Sequence, residues 1–349
     1  MRRYDIDQTY DWNYDNPPDP IQLDVPPCPG VWQFCGYRVR SPLGIPAGPL
    51  LNSAWIRYYA ALGFDVLTYK TVRSAYRACY GLPNLLPVTG ADLTAEGNVL
   101  DEARTASASW AISFGMPSKD PSVWMADVAA ARAAIGEGQV LVVSVVASPQ
   151  PGWTLSDVAA AFARCAVWAK QAGAMVVEPN LSCPNVCTQE ADLYLSAEAS
   201  ALIAGEVRKA VGDLPVALKV GLFRDRQTAG EFVQAISGKV NAVCATNSIT
   251  AKVRGYNGEL LFGGLRRGIG GTVITERCLQ ETAMLAELLG HHAARTELVS
   301  VGGVTIAEDV QARLQAGASH VQLATAAMLN PLVATQIRAR IAPEPQRAR

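Results

Sequence analysis

The sequence AMVVEPNLSCPN, residues 174–185, joins a short apolar run to a polar turn. Its first part, Met175-Val176-Val177, predicts a buried strand, and the turn-forming residues behind it predict where that strand ends. From Glu178 onward the turn carries amides, a hydroxyl and a thiol, on Asn180, Ser182, Cys183 and Asn185. We interpret the turn as a loop that holds a small polar molecule beside a nucleophile or base. The alternative is a surface turn that contains a cysteine, since an unpaired cysteine is more often a small buried hydrophobe.

Seven similar apolar runs occur elsewhere in the chain. The eight predicted strands are residues 43–47, 66–69, 140–146, 175–178, 216–220, 242–246, 298–301 and 320–324. The amphipathic segments between them predict helices at residues 55–62, 121–135, 155–172, 196–211, 229–236, 276–289 and 306–316. Alternating strands and helices predict an α/β fold with a parallel sheet. Eight repeats favour closure into a (β/α)₈ TIM barrel over an open Rossmann-like sheet, which would also be expected to show GxGxxG after its first strand.

The remaining segments suggest how the chain is divided. Residues 1–30 are rich in proline and tyrosine, which predicts an extended N-terminal arm lying on the body or on a partner subunit. We expect a single barrel domain at residues 31–340 and a flexible tail at 341–349. Residues 73–121 and 247–267 are longer than usual barrel loops. Both are expected at the C-terminal mouth, where barrel active sites lie.

Composition limits the classes of function. The chain has 349 residues, 50% of them hydrophobic, and a formal net charge of −1, which predicts a soluble globular enzyme and no nucleic-acid partner. Eight cysteines without a CxxC pair indicate no zinc or iron–sulfur site, and their reduced state fits the cytoplasm. The polar, acidic N-terminus predicts neither a signal peptide nor a membrane anchor. None of the three histidines falls in a polar cluster after a strand, so a histidine base is not expected.

Small residues end the last two predicted strands. SVGGV at 300–304 and QLATA at 322–326 expose backbone N–H groups where a helix begins, and RGIGG at 267–271 adds a third flexible run. Helix N-termini attract anions, and barrels repeatedly bind a phosphate at this place. The alternative is that these glycines serve only tight turns.

Two lysines end apolar strands, Lys70 in LTYKT and Lys219 in ALKVG. An ammonium group in such a place needs a partner, because an unpaired buried charge is costly. A flavin ring and a substrate carboxylate would supply partners, and a salt bridge to a barrel carboxylate is the alternative. Asn247 and Ser248, which close the sixth strand, add neutral hydrogen-bonding groups.

With these residues in place, the chain resembles the dihydroorotate dehydrogenase family of FMN-dependent (β/α)₈ enzymes across residues 36–335. The motifs that carry the resemblance are SPLGIPAGPLLNS (41–53), GFDVLTYKTVRS (63–74), SFGMPSKDP (113–121), NLSCPN (180–185), ALKVG (217–221), ATNS (245–248), VGGV (301–304) and QLAT (322–325). The resemblance implies oxidation of (S)-dihydroorotate to orotate. Cys183 would be the base at C5, as in the soluble class of the family, and C6 would give a hydride to flavin N5. The membrane-associated class uses serine as its base.

The resemblance also implies a set of site residues. Those expected to bind FMN are Ala47, Gly48, Lys70, Ser144, Asn180, Lys219, Ser248, Gly270, Gly302, Gly303, Ala324 and Thr325. Those expected to bind substrate are Lys70, Ile112, Phe114, Gly115, Met116, Asn180, Asn185, Asn247 and Ser248. The catalytic set would be Cys183, Lys70 and Lys219, with Lys219 stabilising the anionic reduced flavin. A free thiol is mostly protonated at neutral pH, so the pocket must lower its pKa or work with a small active fraction.

Two positions depart from the family pattern. Ile112 stands where members acting on dihydroorotate usually have an asparagine that binds the pyrimidine ring, and Arg267 stands where glycine is common. Loss of that amide leaves buried polar atoms of orotate unpaired, at a cost of about 1–3 kcal/mol each. Ile112 therefore suggests a second hypothesis, a flavin oxidoreductase of this family acting on another cyclic amide or imino acid. The Arg267 guanidinium is expected either to reach the phosphate or to point outward.

Two hypotheses from other classes stay open at this point. A flavin-free, phosphate-binding isomerase or aldolase could use Lys70 or Lys219 as a Schiff-base amine. A non-catalytic binding protein is least favoured, because it leaves Cys183 beside two asparagines unexplained. For the flavin enzyme we expect a homodimer, with fumarate, oxygen or NAD through a partner subunit as the electron acceptor.

Overall fold

The structure is a computed structural model and describes residues 1–93, 99–105, 107–182, 192–293 and 295–341. Its strands are β1 (Trp32–Phe34), β2 (Tyr37–Val39), β3 (Leu43–Ile45), β4 (Val66–Val72), β5 (Leu85–Thr89), β6 (Val99–Glu102), β7 (Ser109–Ile112), β8 (Val140–Val145), β9 (Val176–Pro179), β10 (Ala217–Lys219), β11 (Ala242–Ala245), β12 (Ile249–Arg254), β13 (Arg267–Gly271), β14 (Glu297–Val301) and β15 (His320–Gln322). Its α-helices are α1 (Tyr10–Asp15), α2 (Ser53–Ala61), α3 (Pro121–Ala134), α4 (Leu155–Gln171), α5 (Ala197–Val211), α6 (Arg226–Ile236), α7 (Thr275–His292), α8 (Ala307–Gln315), α9 (Thr325–Leu329) and α10 (Val333–Arg338).

Eight parallel strands form the central barrel. Their order is β10-β11-β14-β15-β3-β4-β8-β9, and parallel bridges from Val177 to Val216 and from Asn180 to Lys219 join the two ends. Each of the eight strands falls on one of the eight predicted runs, so the (β/α)₈ barrel prediction is confirmed. The runs were recognisable because parallel strands are covered on both faces and therefore read as continuous apolar sequence. β4 and β8, for example, are buried along their whole length.

Polar caps set where the surrounding helices begin. At α4, Thr154 and Asp157 form a capping box, in which the Thr154 hydroxyl accepts from the Asp157 N–H and Asp157 accepts from the Thr154 N–H. Asp225 caps α6 by accepting from the Thr228 N–H at 2.8 Å. This helix therefore begins at Arg226, three residues before the predicted start at 229, because a cap acts on backbone donors that an apolar pattern does not reveal.

The two long insertions at the mouth contain a second sheet that the sequence did not predict. β5, β6 and β7 from the first insertion pair with β12 and β13 from the second into a closed ring of five strands. This ring encloses a core of its own, which includes Val88, Leu100, Ile249, Val253 and Ile269. Its strands are short, and the two pairings that close it, β6 with β12 and β7 with β13, join residues more than one hundred positions apart, so no local sequence pattern predicts the ring.

A hairpin of β1 and β2 covers the N-terminal end of the barrel. Its turn lies at Cys35 and Gly36, both with positive φ, at 49° and 87°. Phe34 is fully buried, and its ring meets the edge of His320 at 5.2 Å. His320 begins β15, where the sequence placed it. The hairpin leaves the C-terminal end as the open end of the barrel.

The N-terminal arm packs on the outer helix α2. The Trp55 indole donates to the Asn13 carbonyl at 3.1 Å, and the Asn52 amide donates to the Tyr14 carbonyl at 2.8 Å. The arm contains helix α1, which was not predicted and which Thr9 caps. Of the predicted tail, residues 342–349 lie outside the described residues. Within the part of the chain that is described, no helix combines the length and the apolar character needed to cross a bilayer.

Candidate active site

A cleft opens at the carboxyl ends of the barrel strands, with about 1060 Å³ of empty space that is partly open to solvent. Fourteen residues predicted for the site line it: Ala47, Gly48, Lys70, Ile112, Phe114, Met116, Asn180, Lys219, Asn247, Gly270, Gly302, Gly303, Ala324 and Thr325. They come from six barrel strands and both insertions. These residues converge because the carboxyl ends of parallel strands meet at one face of a barrel.

The other predicted residues fall elsewhere. Ser144 is fully buried behind the lining, where its hydroxyl is 3.1 Å from the Thr71 hydroxyl, and Ser248 is also buried. Gly115 has a φ of +72°, and a side chain there would meet the Tyr80 ring. Cys183 and Asn185 lie outside the described residues.

Two buried ammonium groups enter the cleft. Lys70 lies with its Nζ 5.9 Å from the centre of the Phe114 ring. Lys219 ends β10, and no carboxylate in the described ranges forms an ion pair with it, in contrast to the salt-bridge alternative. Glu178 is near Lys219, but burial raises the pKa of the Glu178 carboxyl, and the Lys219 charge opposes this rise only in part. The Lys219 side chain therefore reaches the cleft lining without an ion pair to any described carboxylate.

Amide groups fix the loop that follows β9. The Asn247 amide donates to the Ser182 carbonyl at 2.8 Å and contacts the Ser182 hydroxyl at 3.1 Å. The Ser182 N–H donates to Asn180 Oδ1 at 3.2 Å, and the Leu181 N–H donates to the Lys219 carbonyl at 2.9 Å. Asn180 and Asn247 both line the cleft, so these bonds hold the described end of the NLSCPN motif at its wall.

The opposite end of the cleft is built from small residues. Gly302 and Gly303 have φ values of +114° and +76°, and Ala324 and Thr325 stand where α9 begins. A methyl group added at Gly48 would meet no atom within 4 Å. Exposed backbone N–H groups and an absence of bulky side chains suit a phosphate group.

One buried polar atom in the wall has no partner among the described residues. Gln322 lines the cleft and is only 1% exposed; its amide nitrogen donates to the Thr68 hydroxyl at 3.3 Å, whereas its Oε1 accepts nothing. A buried acceptor of this kind needs a donor from a ligand. The imide N–H at the polar edge of a flavin ring is such a donor. Together with the small-residue end, Gln322 therefore fits FMN.

The two departures from the family pattern occupy different places. Ile112 lines the cleft, as predicted for a residue that touches substrate. Arg267 neither reaches the phosphate end nor points outward, so both expectations for it are wrong. Its Nε donates to the Ser113 hydroxyl at 2.9 Å, and its guanidinium lies 5.0 Å from the Phe262 ring and 5.9 Å from the Tyr80 ring. Arg267 joins the two insertions, a role that depends on long-range pairing.

Sequence reasoning missed several lining residues, including Thr71, Trp110 and Gln322. Trp110 could have been predicted from the sequence, because it precedes Ile112 by two residues in β7 and alternate residues of a strand share a face. Gln322 also gave a signal, since a lone polar residue in a buried strand needs a partner.

With this geometry in view, comparisons with known proteins identify the family. The family described as Dihydroorotate dehydrogenase matches residues 113–344. A protein named dihydroorotate dehydrogenase from Dictyostelium discoideum is 30% identical over 357 residues, covering 95% of this chain and 95% of that protein. One named dihydroorotate dehydrogenase (quinone) from Cereibacter sphaeroides is 30% identical over 175 residues, covering 49% of this chain and 46% of that protein. The catalytic subunit named dihydroorotate dehydrogenase B (NAD(+)) from Staphylococcus carnosus is 27% identical over 162 residues, covering 46% and 50%. The chain belongs to the dihydroorotate dehydrogenase family of oxidoreductases.

Proposed function

We propose that the chain oxidises (S)-dihydroorotate to orotate with FMN as its cofactor. The observation that carries this proposal is the set of residues that line one cleft. Lys70, Lys219, Asn180 and Asn247 line it together with the small-residue end at Gly302. A carboxylated cyclic amide and a phosphorylated redox ring need this combination of charges, amides and exposed backbone donors.

The cofactor would be held by residues from both ends of the cleft. Gly302, Gly303, Ala324 and Thr325 are proposed to bind its phosphate through backbone N–H groups, since these residues leave room for close approach. Lys219 and Gln322 are proposed to meet the polar edge of the ring, where a fixed positive charge stabilises the charge that develops on reduction. FMN, when bound, supplies a two-electron acceptor for the hydride from C6 of the substrate.

The substrate would lie against the lysine and amide groups of the same cleft. Lys70 is proposed to pair with the carboxylate, and Asn180, Asn247 and Asn185 to hydrogen-bond the ring amides. Phe114 and Met116 are buried lining residues that exclude water on this side. Because polar contacts inside a dry pocket are stronger than in water, this wall strengthens the binding of the carboxylate.

We propose Cys183 as the base that removes the proton from C5. It is the next residue after Ser182, whose carbonyl and hydroxyl are held by Asn247 at the cleft. The thiolate is the reactive form of cysteine, so the rate of the reaction is expected to rise with pH as the thiol loses its proton.

The second candidate substrate is another cyclic amide or imino acid, and the observation behind it is that apolar Ile112 lines the cleft. The comparisons do not favour this alternative, because the relative that matches 95% of the chain is named dihydroorotate dehydrogenase. For reoxidation of the flavin we propose fumarate, oxygen or a partner subunit as the acceptor. We further propose a cytoplasmic homodimer.

Anaerobic titration of the FMN-loaded protein with dihydroorotate tests the function. We expect the visible flavin absorbance to bleach in proportion to dihydroorotate added, with orotate formed in equal amount. A flavin band that stays unchanged with dihydroorotate but bleaches with another cyclic amide would contradict the proposal and favour the second candidate. A colourless protein that does not take up FMN would contradict both.

A further inference from the structure

The turn at Gly302 and Gly303 is pressed between the cleft and the start of α7. A methyl group added at Gly302 would lie 2.6 Å from Cys278 Sγ, and one added at Gly303 would overlap Thr275. Both glycines also line the cleft. The backbone of this turn therefore forms a thin wall, with the ligand space on one side and the side chains of α7 and α8 on the other.

A single arginine stands behind this wall. Arg313 of α8 is 1% exposed and does not belong to the cleft lining. Its NH2 group donates to the carbonyls of Gly302 and Thr275, both at 2.8 Å. Its NH1 group reaches the hydroxyls of Ser300 at 3.2 Å and Thr282 at 3.4 Å. One guanidinium thus connects α7, α8 and the end of β14.

The bond from Arg313 decides which way the turn faces. In a trans peptide the C=O and the following N–H point in opposite directions. Because the Gly302 carbonyl points back to Arg313, the Gly303 N–H points toward the cleft. The Thr275 hydroxyl donates to the Gly303 carbonyl at 2.9 Å, which turns the Val304 N–H the same way. Neither N–H donates to any other group in the described part of the chain.

The charge on Arg313 is not paired directly with a carboxylate in the described ranges. All four of its hydrogen-bond acceptors are neutral, and the Asp309 and Glu276 carboxylates act on its charge without forming an ion pair with it. Burial lowers the pKa of the guanidinium, yet arginine stays charged in proteins. A buried cation that is not directly ion-paired is costly, and an anion on the other side of the thin wall would offset part of that cost.

We propose that Arg313 is a positioning residue which aims the Gly303 and Val304 N–H groups at a phosphate monoester, and that it gives this chain its preference for FMN over riboflavin. The proposal rests on the proposed function, because it assumes that a flavin occupies the cleft. Riboflavin is the informative comparison, since it has the same ring and ribityl chain but no phosphate. A residue that merely supports the fold would affect both ligands alike.

The test measures dissociation constants for FMN and riboflavin by flavin fluorescence, on protein from which bound flavin has been removed. Arg313→Met is expected to weaken FMN binding about 10- to 100-fold, because it removes charge-assisted hydrogen bonds behind the phosphate, and riboflavin binding less than about threefold. Arg313→Lys keeps the charge and is expected to lose a smaller part of the preference. Thr275→Ala removes one orienting hydroxyl and is expected to weaken FMN binding severalfold.

Arg338→Lys is the matched control. Arg338 is also a buried arginine, but it lies at the other end of the barrel, where it binds Asp65 at 3.0 Å and the Gly63 carbonyl at 2.8 Å. Its variant should keep the wild-type ratio of FMN to riboflavin affinity. An unchanged ratio in folded Arg313→Lys and Thr275→Ala would overturn the role of Arg313, even if Arg313→Met failed to fold. Failure of the unaltered protein to bind any flavin would overturn the proposed function itself.

Discussion

The two ends of the barrel both bury charged groups but treat them differently. At the N-terminal end, the Asp65 carboxylate accepts from Arg40 at 2.8 Å, from the Ser41 hydroxyl at 2.6 Å and from Arg338 at 3.0 Å. At the C-terminal end, Lys70 and Lys219 face a cleft. The Asp65 charge at the first end is satisfied by the protein itself, whereas the two ammonium groups at the second end lie in the cleft that we propose holds the ligands.

The difference separates stability from activity within one fold. Removing one partner of a buried ion pair is strongly destabilising, because the other charge is left behind. Removing a charged group whose partner is a bound ligand has a small effect on folding but a large effect on the reaction that needs the group.

The largest effect is expected at Cys183. Cys183→Ala should slow anaerobic reduction of bound FMN by dihydroorotate about 10²- to 10⁴-fold, the usual contribution of a general base. Stopped-flow absorbance measures this rate directly. Cys28→Ala is the control, because Cys28 lines a groove at the N-terminal end, and it should leave the rate unchanged. A Cys183→Ala enzyme as fast as the unaltered one would remove cysteine from the mechanism.

The next largest effects are expected in two variants, one at each end of the barrel. Asp65→Ala should lower the free energy of unfolding by about 3–5 kcal/mol, because Arg338 is left buried without its partner. Lys219→Met should leave stability nearly unchanged and slow flavin reduction about 10²- to 10³-fold. Denaturant unfolding and single-turnover kinetics on both variants measure the two quantities. The division between the ends fails if Lys219→Met proves the less stable of the two.

A smaller effect concerns Ile112 in the cleft wall. Ile112→Asn restores an amide beside the proposed substrate and should tighten orotate binding by about 1–3 kcal/mol, or roughly 5- to 150-fold. Equilibrium titration with orotate measures this change, and Ile112→Val serves as the apolar control. Orotate affinity that is the same in all three proteins would show that Ile112 does not touch the pyrimidine.

The smallest expected effect is a dependence of the free energy of unfolding on pH. It arises at the N-terminal end of the barrel, where Glu297 and His320 contribute in opposite directions. Burial raises the pKa of the Glu297 carboxyl to about 7, so its contribution to stability falls as pH rises from about 4.5 to 7. Burial lowers the pKa of the His320 imidazole to about 4, so its contribution rises with pH between about 4 and 6.5. The stability of the unaltered protein should therefore change only slightly with pH across this range.

Substitutions at these two positions should reveal the opposed slopes. In Glu297→Gln only the contribution of the His320 imidazole remains, so the stability of this variant should increase with pH through this range. In His320→Phe only the contribution of the Glu297 carboxyl remains, so the stability of this variant should decrease with pH. Thermal unfolding between pH 4 and 7.5 measures both. The His320 Nδ1 and the Glu297 Oε2 lie 4.0 Å apart, so slopes of the same sign in the two variants would show that the contact between the two groups outweighs the separate effects of burial.

The sequence predicted the barrel because each of its eight strands is a local apolar run, as at β8. It predicted much of the cleft because a barrel brings the carboxyl ends of its strands together, which placed Lys70, Asn180 and Lys219 in one lining. It missed the five-stranded ring and the contacts of Arg267, since both depend on pairing between distant insertions. Arg313 was missed for the same reason, because its acceptors belong to α7 and β14.

A crystal structure of the protein soaked with orotate tests the central claim, that the charges at the open end of the barrel serve a flavin and a carboxylated pyrimidine. We predict orotate stacked on a flavin in the cleft, its carboxylate within hydrogen-bonding distance of Lys70 and its ring amides facing Asn180 and Asn247. Orotate bound at the N-terminal end, or a cleft that takes up orotate without any flavin, would contradict the account.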